Sequence, residues 1–193
     1  MANSSSVGFG MKPVKMAGQA PNTAGLGEYP VAANATAIFN QDLVAMAATG
    51  TAAVAAAGTE QILGSLNGVF FTNTSDDKPT FKSHLAGSNA ATDIVALVND
   101  APHQIYEVRS NNAGASAQTD VGNTADISYS AGATPNFISK TTLDDGSLAT
   151  ASKQLKIVGV SRDPENNDIG SANVNWRVML NESLLGSGTA GAA

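Results

Sequence analysis

The chain has 193 residues, of which 42% are hydrophobic and only 13% are charged, and its formal net charge at pH 7 is −6. An acidic, charge-poor chain lacks the clustered Lys and Arg that nucleic-acid binding requires, so we expect no nucleic-acid partner. It contains no cysteine, which excludes disulfides, thiolate metal sites and cysteine catalysis. No apolar run has membrane-spanning length and the N-terminus lacks a secretory h-region, so we expect a protein made in the cytoplasm without a membrane partner.

Residues 1–35 form a segment rich in Gly, Pro, Ser, Asn and Ala. Proline at position 13 fixes its own φ and restricts the preceding residue, which disfavours a helix. Apolar side chains recur along the segment, and a purely solvated tail would not need them. We therefore predict an extended N-terminal arm that binds another surface, with a disordered tail as the open alternative. The predicted binding residues of the arm are Phe9, Met11, Pro13, Val14, Met16, Leu26 and Tyr29.

Residues 36–58 are rich in alanine, which favours a helix between positions 43 and 58. A Thr-Gly-Thr sequence at 49–51 interrupts that stretch, and a polar Asn-Gln-Asp sequence precedes it. We predict a strand, a tight turn and a second strand, and the helix remains the alternative.

The remaining chain alternates between short apolar runs and turn residues. Runs of β-branched and aromatic residues bounded by Asn, Asp, Ser, Gly and Pro are typical of strands. The cleanest period-two pattern places Val174, Trp176, Val178 and Leu180 on one face. The predicted strands lie within residues 62–72, 93–98, 104–109, 124–130, 136–145, 155–161 and 173–180.

These segments predict an all-β fold, an antiparallel β-barrel or sandwich of about eight to ten short strands with an extended N-terminal arm. The predicted organisation is an arm at 1–35, a β domain at 36–182 and a flexible C-terminal tail at 183–193. There is no alternation of strands with helices, so a doubly wound fold is not expected.

The candidates for chemistry all have simpler interpretations. His84 and His103 lack the local signature of a nucleophile with its base, and we interpret both as loop residues. Asp76 and Asp77 are predicted to occupy a hairpin tip, because adjacent residues rarely converge on one site.

The loop at 163–170 has oxygen-bearing side chains at alternate positions, as calcium loops do. It lacks the glycine placement and the terminal glutamate of that motif, so a hairpin loop is the preferred interpretation. We therefore predict no catalytic, metal-binding or cofactor-binding residue, and a protein that is not an enzyme.

Four short motifs in the central part of the chain resemble a group of virion structural proteins of tailed phages that infect aquatic bacteria. The resemblance covers about residues 26–182 and departs from the group in the alanine-rich run at 52–57. The matching motifs are Gly68-Val69-Phe70, Asp77-Lys78-Pro79-Thr80-Phe81, Asp100-Ala101-Pro102 and Tyr106-Glu107-Val108.

The resemblance implies a capsid decoration or cement protein on the outer surface of the virion. Such a protein binds the major capsid protein and itself, as a homotrimer at local threefold positions. The alternative is a tail-fibre or receptor-binding β module that recognises surface glycans. The single tryptophan of this chain lies in a strand pattern that buries it, and exposed aromatic clusters would be needed to favour that alternative.

Overall fold

The structure is a computed structural model, and it describes residues 3–4, 7–18, 25–113 and 116–186. The described residues contain thirteen β-strands and two short 3-10 helices. The strands are β1 (Lys12–Met16), β2 (Gly27–Pro30), β3 (Leu43–Met46), β4 (Ala52–Val54), β5 (Ile62–Asn73), β6 (Lys78–Lys82), β7 (Val95–Asn99), β8 (Gln104–Arg109), β9 (Thr124–Ala125), β10 (Ile127–Ser128), β11 (Thr142–Leu143), β12 (Leu155–Val160) and β13 (Asn175–Leu180). The 3-10 helices are Gln118–Asp120 and Asp145–Ser147.

Two antiparallel sheets make up the fold. Sheet A has the strand order β1-β8-β13-β12-β9. Sheet B has the order β2-β7-β5-β3-β4, and β6 also pairs with β5. A separate two-stranded ribbon joins β10 and β11. The all-β, antiparallel prediction is therefore confirmed, and the arrangement fits a sandwich.

The apolar residues of the sequence collect in two clusters, one on each face of sheet B. The first lies between the sheets and includes Tyr106 and Trp176 of sheet A, both fully buried, together with Leu43 of β3. The second covers the opposite face of sheet B, where Val69 and Val98 meet residues of the loops around 31–38 and 85–94. Sheet B is thus packed on both faces, which explains why its strands are apolar on both sides.

The alanine-rich region adopts the predicted strand, turn and strand. β3 and β4 pair in antiparallel register, and the turn is closed by the Ala47 amide donating to the Thr51 carbonyl at 2.9 Å. Gly50 has φ +74°, a conformation that favours glycine, so the helical alternative is wrong.

The N-terminal segment is extended, as predicted, and it completes both sheets. β1 pairs with β8 at the edge of sheet A, and β2 pairs with β7 at the edge of sheet B. The structure therefore shows no domain boundary at residue 35, because strands before this residue pair with strands after it. Residues 1–2, 5–6 and 19–24 of the predicted arm lie outside the described residues.

The predicted strand at 136–145 is wrong except for its last part. Only Thr142–Leu143 is a strand, and the Asp-Asp-Gly sequence that follows begins a 3-10 turn. Phe137 has φ +52° and its amide donates to the Ala133 carbonyl at 2.9 Å, so this segment is a turn.

At the other end of the domain, Ser183 is 3% exposed and the Leu184 amide donates to the Ile62 carbonyl at 2.8 Å. Residues 187–193 of the predicted tail lie outside the described residues.

Candidate protein-binding surface

Strand β5 is longer than any strand of sheet A. Its twelve residues are twice the six of β8, β12 or β13 in sheet A. The first half pairs with β3, and the Ser65 hydroxyl there donates to the Met11 carbonyl at 2.6 Å inside the intersheet core. The second half pairs with β6 in place of β3, and β7 pairs along the other side from Ser65 to Phe70. Because alternate residues share a face, the face that meets sheet A at Ser65 continues along β5 to Gly68 and Phe70, one bulge residue intervening.

The continuing face carries two exposed phenylalanines. Phe70 of β5 and Phe81 of β6 are direct cross-strand partners, and they are 44% and 56% exposed. Val95 lies opposite Phe70 on β7, and Leu97 lies opposite Gly68. A Cβ on Gly68 would lie 2.6 Å from the Phe81 ring, so the glycine leaves space in which that ring lies close to the strand. We call these five residues the aromatic overhang.

The lysines of β6 lie on the face of sheet B opposite the overhang, because they pair with Val69 and Asn73, which share the face of Phe71. Lys78 and Lys82 stand at the two ends of β6, and the Lys82 Nζ lies 5.9 Å from the ring centroid of Phe71. The Lys78 ammonium pairs with Asp76 at 3.4 Å on the exposed hairpin tip. Hydrogen bonds from the Thr72 side chain and then its backbone amide lower the pKa of the Asp93 carboxyl.

A cleft borders the overhang on the side of sheet A. It has a volume of about 330 Å³ and separates the β1 edge from the bulge residue of β5. Three of the predicted arm residues line it, namely Pro13, Val14 and Leu26, together with Lys15, Asn67, Asn99 and Gln104. Val14 is 37% exposed, so the cleft presents an apolar side chain beside polar ones.

The other predicted arm residues are dispersed. Phe9 lines a second cleft, of about 270 Å³, with Val7 and Ile138. Met16 is half-buried at the end of β1. The Tyr29 hydroxyl donates to the Asp100 carboxylate at 2.7 Å, and burial, followed by that carboxylate, raises the tyrosine pKa. Met11 is fully buried in the intersheet core, so its assignment to a partner-binding surface is corrected: it holds the segment in place.

Sequence reasoning did not select the overhang as a site, although a signal for it was present. Phe70 and Phe71 are adjacent in one strand, so their side chains must point to opposite faces. Phe71 is 5% exposed in the second core, which leaves Phe70 on the other face. The fraction of that face left uncovered depends on the length of sheet A, which no local pattern reports.

A buried carboxylate lies where the N-terminal segment meets the sandwich. Asp42 is completely buried and accepts a hydrogen bond from the Phe39 amide at 2.7 Å. Burial raises its pKa to about 6, against the opposing effect of hydrogen bonds from the Ser139 side chain and the Phe39 amide. The neighbouring Gln41 carbonyl accepts from the Met11 amide at 2.8 Å, so Asp42 follows directly in the chain the residue that holds the N-terminal segment.

The two histidines occupy different environments. His84 stacks on Phe137 with ring centroids 3.9 Å apart and on Phe39 at 6.4 Å. Burial, and then the nearby Lys82, lower the pKa of this imidazole. His103 is exposed in the turn before β8. The stack occupies the imidazole faces, so His84 has a packing role in this corner of the fold.

The acidic loop at 163–170 lies between β12 and β13, as the hairpin interpretation predicts. Among the described residues, no group of three or more His, Cys, Asp or Glu side chains could hold a metal ion. Asp76 and Asp77 are both exposed at the β5–β6 turn.

Within the part of the chain that the structure describes, no helix has the length and apolar character to span a membrane. Comparisons with protein-family models, with curated proteins and with solved structures return no significant match.

Proposed function

We propose that this chain is a non-enzymatic structural protein of a tailed-phage virion, one that decorates and stabilises the capsid. In this role it is made in the host cytoplasm, lies on the outer capsid surface and binds both the major capsid protein and further copies of itself. The motif resemblance over about residues 26–182 supports the capsid as partner.

The observation that carries the proposal is the aromatic overhang. Two phenylalanines, 44% and 56% exposed, stand beside each other on a face that elsewhere forms a protein core. Complete burial of a phenylalanine side chain contributes about 1.5–3 kcal/mol, so a free surface of this kind favours association. Contiguous exposed apolar residues mark protein-binding sites.

The cleft beside β1 is a second part of the proposed surface. Pro13, Val14 and Leu26 add apolar contact area without a separate core. On a capsid, many copies act together, so a modest affinity at each site produces strong overall stabilisation.

Self-association as a homotrimer is part of the proposal. Both sheets end in edge strands, β1 and β9 in sheet A and β2 and β4 in sheet B. Lysines and a proline protect β1, and a glutamate and a proline protect β2, whereas β4 and β9 have no charged residue, so contact with further copies is the alternative protection at those two edges. Sedimentation of the free and the capsid-bound protein measures this directly, and a concentration-independent monomer in both states would exclude the trimer.

The test is binding of the full chain to shells assembled from the major capsid protein of the same virus. The double variant Phe70→Ser and Phe81→Ser removes both aromatic side chains while keeping the strands. We expect a loss of affinity of about 100-fold or more, since two hot-spot side chains contribute about 2 kcal/mol or more each.

The matched control is Val158→Ser, which removes an apolar side chain that is 39% exposed on β12 of the other sheet. This variant should decorate shells like the wild type. Full occupancy by the double phenylalanine variant would refute the overhang as the capsid-binding surface, and failure of the wild-type protein to bind shells would refute the capsid role.

The glycan-binding alternative gains no support from Trp176, which is fully buried in the intersheet core. A glycan array probed with the intact protein separates the two proposals. Specific glycan binding together with no shell binding would replace the capsid proposal.

A further inference from the structure

The N-terminal residues form a strap across the sandwich, defined here as residues 3–18, of which 3–4 and 7–18 are described. The first attachment is a clasp around Asn3, which is 8% exposed. Its Nδ2 donates to the carbonyls of Asp168 at 3.0 Å and Ala172 at 2.9 Å, and its Oδ1 accepts from the Asp168 amide at 2.9 Å. The Ser4 amide also donates to the Glu165 carbonyl at 2.8 Å.

The second attachment is the socket of Met11. This side chain is completely buried in the intersheet core. Its amide donates to the Gln41 carbonyl at 2.8 Å, and its carbonyl accepts from the Ser65 hydroxyl at 2.6 Å.

The third attachment is the pairing of β1 with β8, which continues where the Ala17 amide donates to the His103 carbonyl at 2.8 Å. All three attachments join the strap to residues far along the chain, from Gln41 onward. The sandwich therefore needs a strap to fill the Met11 socket and pair the β8 edge. The strap of another copy would make the same contacts with the Met11 socket and the β8 edge, because all copies have the same sequence.

The pairing of β1 with β8 is irregular. Pro13 has no amide hydrogen to donate, and the register with β8 shifts between Pro13 and Lys15. Exposed apolar side chains follow the strap: Val7 is 65% exposed and Val14 is 37% exposed. Ile138, 39% exposed, lines the same cleft as Val7. A neighbouring copy that shares straps would cover these side chains.

The chain between β1 and β2 allows such sharing. Eight residues, 19–26, separate the strap from β2. At full extension they span at most about 26–29 Å, which is comparable to the width of a small domain. A strap can therefore reach the sockets of an adjacent copy while its own β2 stays in place.

We propose that copies of this chain exchange their straps, so that β1, Met11 and Asn3 of one copy occupy the sockets of the next. Exchange of an identical element is a low-cost route to oligomers because every contact is conserved. The inference rests on the self-association included in the proposed function, and it identifies the strap as the shared element.

The test uses engineered disulfides in the full-length protein, which has no cysteine of its own. Lys12 and Glu107 are register partners on β1 and β8. Directly opposite residues in antiparallel strands lie about 4.5–5.5 Å apart at Cα, within the range of a disulfide. The variant Lys12→Cys/Glu107→Cys is allowed to associate, oxidised and examined by non-reducing gel and intact mass.

Exchange predicts that most chains appear as covalent dimers or trimers, which reduction returns to monomers. The matched control is Lys156→Cys/Met179→Cys, register partners on the β12–β13 hairpin, which should give only monomers with an internal disulfide. A second strap pair, Lys15→Cys/Ile105→Cys, repeats the measurement if substitution at Glu107 impairs folding.

Monomers with an internal disulfide in associated strap variants would overturn the exchange, and so would wild-type chains that never associate in solution or on shells. Shell binding by the wild type is scored separately. Shell binding with only internal disulfides refutes the exchange alone. Covalent oligomers without shell binding support the exchange and refute the capsid role.

Discussion

The strap and the aromatic overhang use their apolar residues in opposite ways. In the strap, Met11 is buried completely and the backbone is tied to distant parts of the chain. In the overhang, Phe70 and Phe81 are exposed, although the same face forms the core a few residues earlier. The strap thus finishes the fold, and the overhang is left available for a partner.

This difference shows that apolar content alone does not identify a binding surface. The apolar residues of the N-terminal segment predicted a partner-binding arm. The largest contribution of the strap is instead to the core of its own fold. The overhang was read as ordinary strands, yet it carries the most exposed aromatic residues among the described part of the chain. The following predictions separate the two regions by the free energy of unfolding.

The largest expected effect is that of Met11→Ala. Truncation of a completely buried methionine leaves a cavity and should lower the free energy of unfolding by about 2–5 kcal/mol, measured by urea denaturation. Val14→Ala, on the exposed part of the same strap, should change it by less than about 1 kcal/mol. Equal effects of the two substitutions would show that Met11 is not a core residue.

The second prediction concerns pH at the seat of the strap. The Asp42 pKa is raised by burial to about 6 from 3.8, so the fold favours the protonated carboxyl. Its stabilising contribution is complete below about pH 4 and is lost as the pH rises through about 6. Relative to Asp42→Asn, which cannot ionise, the wild type should lose up to about 3 kcal/mol of unfolding free energy between about pH 4 and pH 8.

The matched control for this prediction is Asp93→Asn. Hydrogen bonds from Thr72 lower the Asp93 pKa, so its contribution is present above the unfolded pKa and is lost only in acid below that value. The difference between Asp93→Asn and wild type should therefore be constant from about pH 5 to pH 8. If the difference in unfolding free energy between Asp42→Asn and wild type were equally constant, the raised pKa of the buried Asp42 carboxyl would be ruled out.

The third prediction concerns the support beneath Phe81. In Gly68→Ala the new Cβ would lie 2.6 Å from the Phe81 ring and 2.9 Å from the Lys82 carbonyl oxygen. The ring must move, and we expect a destabilisation of about 1–2 kcal/mol together with weaker shell binding. Gly159→Ala on β12, where a Cβ meets nothing within 4 Å, is the control and should be close to wild type in both measurements.

The smallest effect on folding is expected for Phe81→Ser. This side chain is 56% exposed, so its removal should cost less than about 1 kcal/mol in thermal or urea unfolding. Phe71→Ser, 5% exposed in the second core, should cost about 3 kcal/mol or more. If the two phenylalanines were equally important to stability, the overhang would be part of the core and not a free surface.

Much of the secondary structure could be predicted because its signals are local. The alternation around Trp176 predicted β13, and the turn residues after position 48 predicted the β3–β4 hairpin. Where backbone bonds go to distant partners, prediction failed. The segment around Phe137 had the composition of a strand, but its carbonyl accepts from the Asn40 amide at 3.0 Å and its φ is positive.

The candidate site was predictable only in part. Pro13, Val14 and Leu26 were selected, and they share one cleft. Phe70 and Phe81 belong to the matching motifs, but the sequence predicts no binding role for them. A strand pattern does not tell which face a second sheet covers. Met11 could not be distinguished from Val14, since both are apolar residues in the same period-free segment.

The sequence by itself determined that this protein is all-β, cysteine-free and built from short antiparallel strands, because composition, alternation and turn chemistry act over a few residues. Tertiary structure decided which apolar residues are buried. The same face of β5 is core at Ser65 and surface at Phe70. The strap reaches its sockets only once distant strands have assembled them, and exposure follows from that long-range geometry.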